Sequence, residues 1–178
     1  MTSAQVRDLT YGRQELRPPG VLRRSAVPRQ GRPRADLSES PAREPGGHSE
    51  LVLKPGPESV KAARDFTAEI LHSWGLDGLI QEAMIIASEL VTNAIKHGTC
   101  LTPPSTDLAR VELAWQRYAS RVICVVTDGS SRQPVLAPAD MGAESGRGLQ
   151  VVHALAAAWG WMALGARGKA VWAAMLLP

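Results

Sequence analysis

The chain has 178 residues, of which 44% are hydrophobic, so it can bury one core of ordinary domain size. Its net charge of +3 arises in the first 48 residues, which hold nine arginines against five acidic residues. The remaining residues hold eleven basic against twelve acidic side chains. Because this larger part has no basic excess, direct nucleic-acid binding is not expected.

The sequence gives no sign of a membrane or an oxidising environment. It contains no run of 18 apolar residues, and its N-terminus lacks the apolar core of a signal peptide. Cys100 and Cys124 are too few for a disulfide framework or a zinc pattern. These features favour a cytoplasmic protein that does not contact a membrane.

Residues 1–48 are rich in proline and arginine and carry no periodic apolar pattern. This composition predicts a disordered tail at 1–48, followed by one folded domain at 49–178. A contact between the arginines of the tail and an acidic partner is left open.

The predicted elements alternate in the order β-α-α-β-β-α-β-β, without an internal repeat. We expect strands at 50–53, 109–116, 121–127, 161–164 and 169–176, and helices at 58–74, 77–97 and 146–160. Asp77 is the predicted N-cap of the second helix, and Gly98 its C-terminal cap. The third helix is expected to end near Trp159-Gly160. Residues 129–145 read as a loop of the length typical of lids and binding segments.

The most informative segment is Ser88-Glu89-Leu90-Val91-Thr92-Asn93 in the second helix. Residues four apart share a helix face, so Glu89 and Asn93 are expected side by side, away from the apolar stripe. A carboxylate beside a carboxamide can hold a hydrated Mg²⁺ and position a hydroxyl group or water. From this pair alone, the alternative is that both side chains simply lie on a solvated face.

Two further features suit other parts of a nucleotide. Asp128 follows a strand, where a buried carboxylate can accept a hydrogen bond from an exocyclic amine. Gly146 and Gly148 open the third helix, where backbone N–H groups can approach phosphate oxygens, and Arg147 between them can add a charge-assisted contact. His97 follows Asn93 by four residues and either lines the same site or serves the end of the helix dipole.

These pieces, in this order, resemble the GHKL (Bergerat-fold) ATPase superfamily. The likeness rests on the segment 87–94 as its N box, on Val126-Thr127-Asp128 as its first glycine box, and on Glu144-Ser145-Gly146-Arg147-Gly148-Leu149 with Trp159-Gly160 as its second. It extends to Lys169-Ala170-Val171-Trp172 and covers roughly residues 51–177. Within the superfamily, the chain looks most like the bacterial anti-sigma-factor serine kinases and their small ATP-binding relatives.

The resemblance implies an α/β two-layer sandwich, with about three helices on one face of a mixed, mostly antiparallel sheet. It implies ATP and Mg²⁺ as ligands, with Asn93 coordinating Mg²⁺ and Glu89 as the catalytic general base. Asp128 would bind the adenine amine, and Gly146 and Gly148 would line the triphosphate.

By the same resemblance, the acceptor is a serine on an anti-anti-sigma-like protein. A sigma factor is a further partner in this branch, and its members are often homodimers. The family's first glycine box commonly reads Asp-x-Gly-x-Gly, whereas here Gly129-Ser130-Ser131-Arg132 follows Asp128. That departure leaves an alternative open, a non-catalytic module whose protein interactions depend on the bound nucleotide.

Overall fold

The computed structural model describes residues 46–98, 110–136 and 147–178, and within them five strands form one sheet. The elements are, in chain order, β1 (Gly47–Leu53), α1 (Ser59–Ser73), α2 (Ile80–Gly98), β2 (Val111–Arg117), β3 (Arg121–Asp128), α3 (Gly148–Leu155), β4 (Ala158–Ala163) and β5 (Lys169–Leu176). The order across the sheet is β1-β2-β3-β5-β4. Asp128 therefore ends the central strand.

All four strand pairings are antiparallel, and β2 and β3 form the predicted hairpin. Helix α1 packs against α2 and the strands β1 and β2, while α2 also contacts β3 and β5. Helix α3 lies against α2 and β4. The predicted two-layer α/β sandwich, with helices on a mostly antiparallel sheet, is confirmed.

The core lies between the helices and one face of the sheet. Alternate residues of β3 are buried, as a strand with one covered face requires: Val122, Cys124, Val126 and Asp128. The predicted apolar stripe of α2 meets them, and five of its residues are at most 3% exposed: Ala83, Ala87, Leu90, Val91 and Ala94. Ile86, which lies outside the predicted stripe, is fully buried as well. Burial raises the pKa of the Cys124 thiol, because a thiolate would be desolvated there.

A buried hydrogen-bond chain joins α1 to the sheet. The fully buried Trp115 of β2 donates from Nε1 to Thr67 Oγ1 at 3.0 Å, and the Thr67 hydroxyl donates to the Ala63 carbonyl at 2.7 Å. The indole N–H and the hydroxyl are thus both satisfied away from water. The pairing fixes how α1 lies on β2.

The predicted N-cap role of Asp77 is wrong. Residues Asp77–Leu79 form a short 3-10 turn before α2, and the Asp77 carboxylate bonds His72 Nδ1 at 2.6 Å instead of capping a helix. This hydrogen bond lowers the pKa of Asp77 and raises that of His72. The Asp77 side chain thus bonds a residue at the end of α1, and the local sequence pattern does not predict this contact.

The predicted end of the third helix is also wrong, because α3 stops at Leu155. Trp159 and Gly160 lie in β4, where Trp159 pairs with Ala173 and Gly160 with Trp172 of β5. An edge position on the sheet outweighs the helical spacing of this alanine-rich segment. The strand accordingly starts at Ala158, earlier than predicted.

Several predictions lie outside the described residues. They include most of the predicted disordered tail and most of the loop at 129–145. In the described ranges, no helix combines the length and apolar character that crossing a membrane requires. The cytoplasmic location stays a prediction.

Candidate functional site

Glu89 and Asn93 lie on one face of α2 and meet the first residue of α3. A Cβ atom at Gly148 would stand 2.5 Å from Glu89 Oε2 and 3.1 Å from Asn93 Nδ2. Both side chains are half-buried. The missing side chain at position 148 therefore lets a helix start approach the carboxylate and the carboxamide directly.

Arg147 and Gly146 are the other two residues of the predicted phosphate site. Arg147 immediately precedes α3 and is exposed, and its carbonyl oxygen accepts hydrogen bonds from the N–H groups of Gln150 and Val151. Gly146 lies outside the described residues. The structure thus joins Gly148 to the N-box pair, while the role of Arg147 in phosphate binding stays a prediction.

A cavity of about 260 Å³ opens beside this junction. It has a mixed lining from α2, β3, the segment after β3, α3 and β5: Leu90, Asn93, Ala94, His97, Val126, Asp128, Arg132, Gln133, Pro134, Val135, Leu149, Lys169 and Val171. Apolar walls with a few polar groups are typical of small-molecule pockets. Three predicted site residues, Asn93, His97 and Asp128, therefore share one cavity.

Asp128 forms a buried ion pair at this cavity. Its Oδ1 atom accepts from Lys169 Nζ at 2.8 Å and from the backbone N–H of Ser130 at 2.8 Å. The side chains of Lys169 and Asp128 are 6% and 1% exposed. The ammonium compensates a carboxylate that would otherwise be costly to bury.

The turn after β3 is built by side chains where glycines would be common. Besides the bond from the Ser130 N–H to Asp128, the Arg132 N–H donates to Ser130 Oγ at 3.1 Å. Aspartate and serine side chains that accept backbone N–H groups two residues on mimic a backbone turn. Hence the altered first glycine box still closes a defined turn, which holds the Asp128 carboxylate in place.

The donor set of the site suits Mg²⁺ bound together with phosphate. Among the described residues no group of three or more His, Cys, Asp or Glu side chains could hold a metal unaided. Mg²⁺ instead commonly takes one or two protein oxygens and completes its shell with water and phosphate oxygens. The Asn93 carboxamide and the Glu89 carboxylate at the opening left by Gly148 fit that requirement.

Sequence reasoning did not assign Lys169 to the site. In the sequence, Lys169 belongs to the last predicted strand and to the segment that resembles the family, and neither gives it a role at the site. A signal was present, because strand alternation places Lys169 on the same face as the buried Val171 and Ala173. Register then decides the contact, since Lys169 is the cross-strand partner of Asp128.

The N-box helix and the strand-end aspartate line one cavity, and a helix-opening glycine lies against the N-box pair. On an antiparallel sandwich, this arrangement defines a nucleotide-binding domain of the GHKL type. A family model described as the histidine kinase-like ATPase domain matches residues 53–175. The chain belongs to this family. The resemblance to the GHKL superfamily is thereby confirmed, whereas the narrower likeness to anti-sigma-factor kinases stays a prediction.

No curated protein sequence matches the chain. The family implies ATP as the ligand, typically with Mg²⁺.

Proposed function

We propose that the protein is a Mg²⁺-dependent serine kinase of the anti-sigma type, which transfers the γ-phosphoryl group of ATP to a protein partner. The observation that carries this proposal is the contact between Glu89, Asn93 and Gly148. It supports the proposal because a carboxylate lies against the start of α3, which would receive phosphate. The acceptor would be a serine of an anti-anti-sigma-like protein, and a sigma factor would be a second partner.

Each residue has a separate task in this proposal. Asn93 would supply a neutral oxygen to Mg²⁺, which neutralises phosphate charge when bound. The N–H groups at the start of α3 would bind phosphate oxygens. Glu89 would accept the serine proton as the serine oxygen bonds to the γ-phosphorus, the bond to the bridging oxygen breaks and ADP leaves.

We expect Asn93→Ala to lose most of the stabilisation that Mg-ATP gives the wild type. A ligand at a hundred times its Kd adds about 2.7 kcal/mol to the free energy of unfolding. For a chain of this size the melting temperature should rise by about 5 to 10 °C. Thermal unfolding of both proteins, with and without Mg-ATP, measures the difference.

The matched control is ATP with EDTA, which should reduce the wild-type shift but barely affect the variant. A wild type that shows no shift at millimolar Mg-ATP would contradict the proposal. An equal shift in the wild type and in Asn93→Ala would contradict the assignment of Asn93.

We expect Glu89→Gln to separate binding from transfer. Glutamine keeps the shape of the side chain but cannot take a proton, so phosphoryl transfer should fall about a hundredfold, at the lower end of general-base effects. The Mg-ATP shift should stay within a few degrees of the wild type. Transfer of radiolabelled γ-phosphate to each anti-anti-sigma-like protein of the source organism measures the first quantity, and thermal unfolding the second.

A non-catalytic interaction module is the second candidate, and the altered first glycine box favours it. There Ser130 closes the turn after Asp128 by side-chain bonds instead of glycines. In such a module, ATP and ADP would only change the affinity for a partner. Binding of Mg-ATP without transfer to any tested partner would support the module, and transfer that Glu89→Gln abolishes would exclude it.

A further inference from the structure

Lys169 is a buried cation that the proposed kinase mechanism does not use. Its side chain is 6% exposed, and its Nζ atom lies 2.8 Å from Asp128 Oδ1. Lysines are almost never this buried unless paired, and a buried ion pair is weak evidence for added stability. The position of the pair, on the lining of the cavity, points to a role in ligand binding.

The hydrogen-bonding capacity of the pair is only partly used in the part of the chain that the structure describes. An ammonium has three N–H donors, and the acceptors found for Lys169 Nζ are Asp128 Oδ1 and the Ser130 carbonyl at 3.3 Å. The bonds described for the Asp128 carboxylate both end at Oδ1. Among the described residues, one donor of Lys169 and the Oδ2 atom of Asp128 thus have no bonding partner, and both can serve a ligand.

An acceptor and a donor side by side match one edge of adenine. The exocyclic amine of that base is a donor, and each ring nitrogen beside it, N1 or N7, is an acceptor. Guanine carries a carbonyl oxygen in place of the amine, which a carboxylate would repel. A carboxylate alone can read the amine, whereas the pair can read the amine and a ring nitrogen together.

We propose that Asp128 and Lys169 form a two-point reader of the adenine base, in which Lys169 donates to the ring nitrogen beside the amine bound by Asp128. Lys169 is then a specificity-determining residue for the nucleotide. The inference rests on the proposed function, because it assumes that ATP occupies this cavity.

The test compares the affinities of the full-length wild type for Mg-ATP, Mg-1-deaza-ATP and Mg-7-deaza-ATP by calorimetric titration. Each analogue keeps the amine and the triphosphate but lacks one of the two ring nitrogens. A hydrogen bond from a charged donor is lost with whichever nitrogen Lys169 reads. We expect that analogue to bind about tenfold to a hundredfold more weakly than ATP, and the other to bind like ATP.

Substitutions of Lys169 then test whether its ammonium group causes the difference in affinity between ATP and the analogue. Lys169→Met keeps the apolar stem and removes the donor, so ATP should bind about tenfold to a hundredfold more weakly and the penalty for the analogue should vanish. Lys169→Arg, which keeps charge and donors, should restore part of the difference between ATP and the analogue. Lys61→Met, on the exposed face of α1, is the matched control and should change neither affinity.

The outcomes separate this inference from the proposed function. ATP binding with equal affinity for both analogues would overturn the two-point reader and leave the nucleotide site intact. Lys169→Met that binds ATP as tightly as the wild type would reduce Lys169 to a structural residue. No binding of ATP at all would overturn both proposals. If Lys169→Met does not fold, the affinities of the wild type for the two analogues still test the two-point reader.

Discussion

Gly148→Ala should weaken Mg-ATP binding at least about a hundredfold while leaving the unliganded protein as stable as the wild type, or slightly more stable. The added methyl group would lie 2.5 Å from Glu89 Oε2 and 3.1 Å from Asn93 Nδ2. These atoms end flexible side chains, so they can move aside without disturbing the core. Alanine is also better than glycine by about 1 kcal/mol inside a helix and by less at its first residue, a gain that helps to offset the displacement.

The displaced groups are the ones that the nucleotide needs. Losing two contacts to charged ligand atoms, each worth about 1.5 to 3 kcal/mol, should raise the Kd at least about a hundredfold. At a ligand concentration that gives the wild type about 2.7 kcal/mol, the variant would then gain only about 0.4 kcal/mol. Phosphoryl transfer should be lost with binding. Thermal unfolding with and without Mg-ATP measures both the unliganded stability and the ligand effect.

Gly78→Ala is the matched control for this substitution. A Cβ atom at Gly78, in the short turn before α2, would meet nothing within 4 Å. It should leave the Mg-ATP shift unchanged. A full shift in Gly148→Ala would show that the start of α3 does not receive the phosphates, and the proposed site would have to be placed elsewhere.

Gly168→Ala should have the largest effect on folding. Gly168 has a φ of +93°, and a Cβ atom there would overlap the Asp128 carbonyl oxygen and lie 2.6 Å from the Gly129 carbonyl carbon. At a φ of +93° and a ψ of −126° the backbone favours glycine, and a residue with a side chain costs about 1 to 3 kcal/mol there. Displacing packed atoms adds about 1 to 3 kcal/mol, and backbone is less able to yield than a side chain.

We therefore expect a loss of about 2 to 6 kcal/mol in the free energy of unfolding, and a melting temperature lower by roughly 5 °C or more. Chemical and thermal denaturation measure these values. The displacement of the backbone at Gly168 should also weaken Mg-ATP binding. Lys169 is the next residue in the chain, and the displaced carbonyl oxygen belongs to Asp128.

Gly165→Ala separates backbone strain from the close approach. Gly165 has a φ of +62°, but a Cβ atom there would meet nothing within 4 Å. Gly165→Ala should therefore lower the free energy of unfolding by the backbone strain alone, about 1 to 2 kcal/mol. Equal losses for the two variants would mean that the contact between Gly168 and the end of β3 contributes nothing.

The sequence by itself determined the helix that carries the N box. The apolar positions of α2 recur at intervals of three and four, and most of them are buried, while Glu89 and Asn93 lie off them. It also determined the β2–β3 hairpin and the order of the elements. Such features depend on residues close in the chain, whose periodicity shows which face is buried.

The tertiary structure decided what depends on distant partners. The alanine-rich segment after Leu155 forms β4 because β5 offers an edge to pair with, and Asp77 bonds His72 instead of capping a helix. Lys169 reaches the candidate site only because the sheet register places it opposite Asp128, 41 positions earlier in the chain. Local pattern shows that a residue is buried, but the partner of a buried charge is set by register and packing.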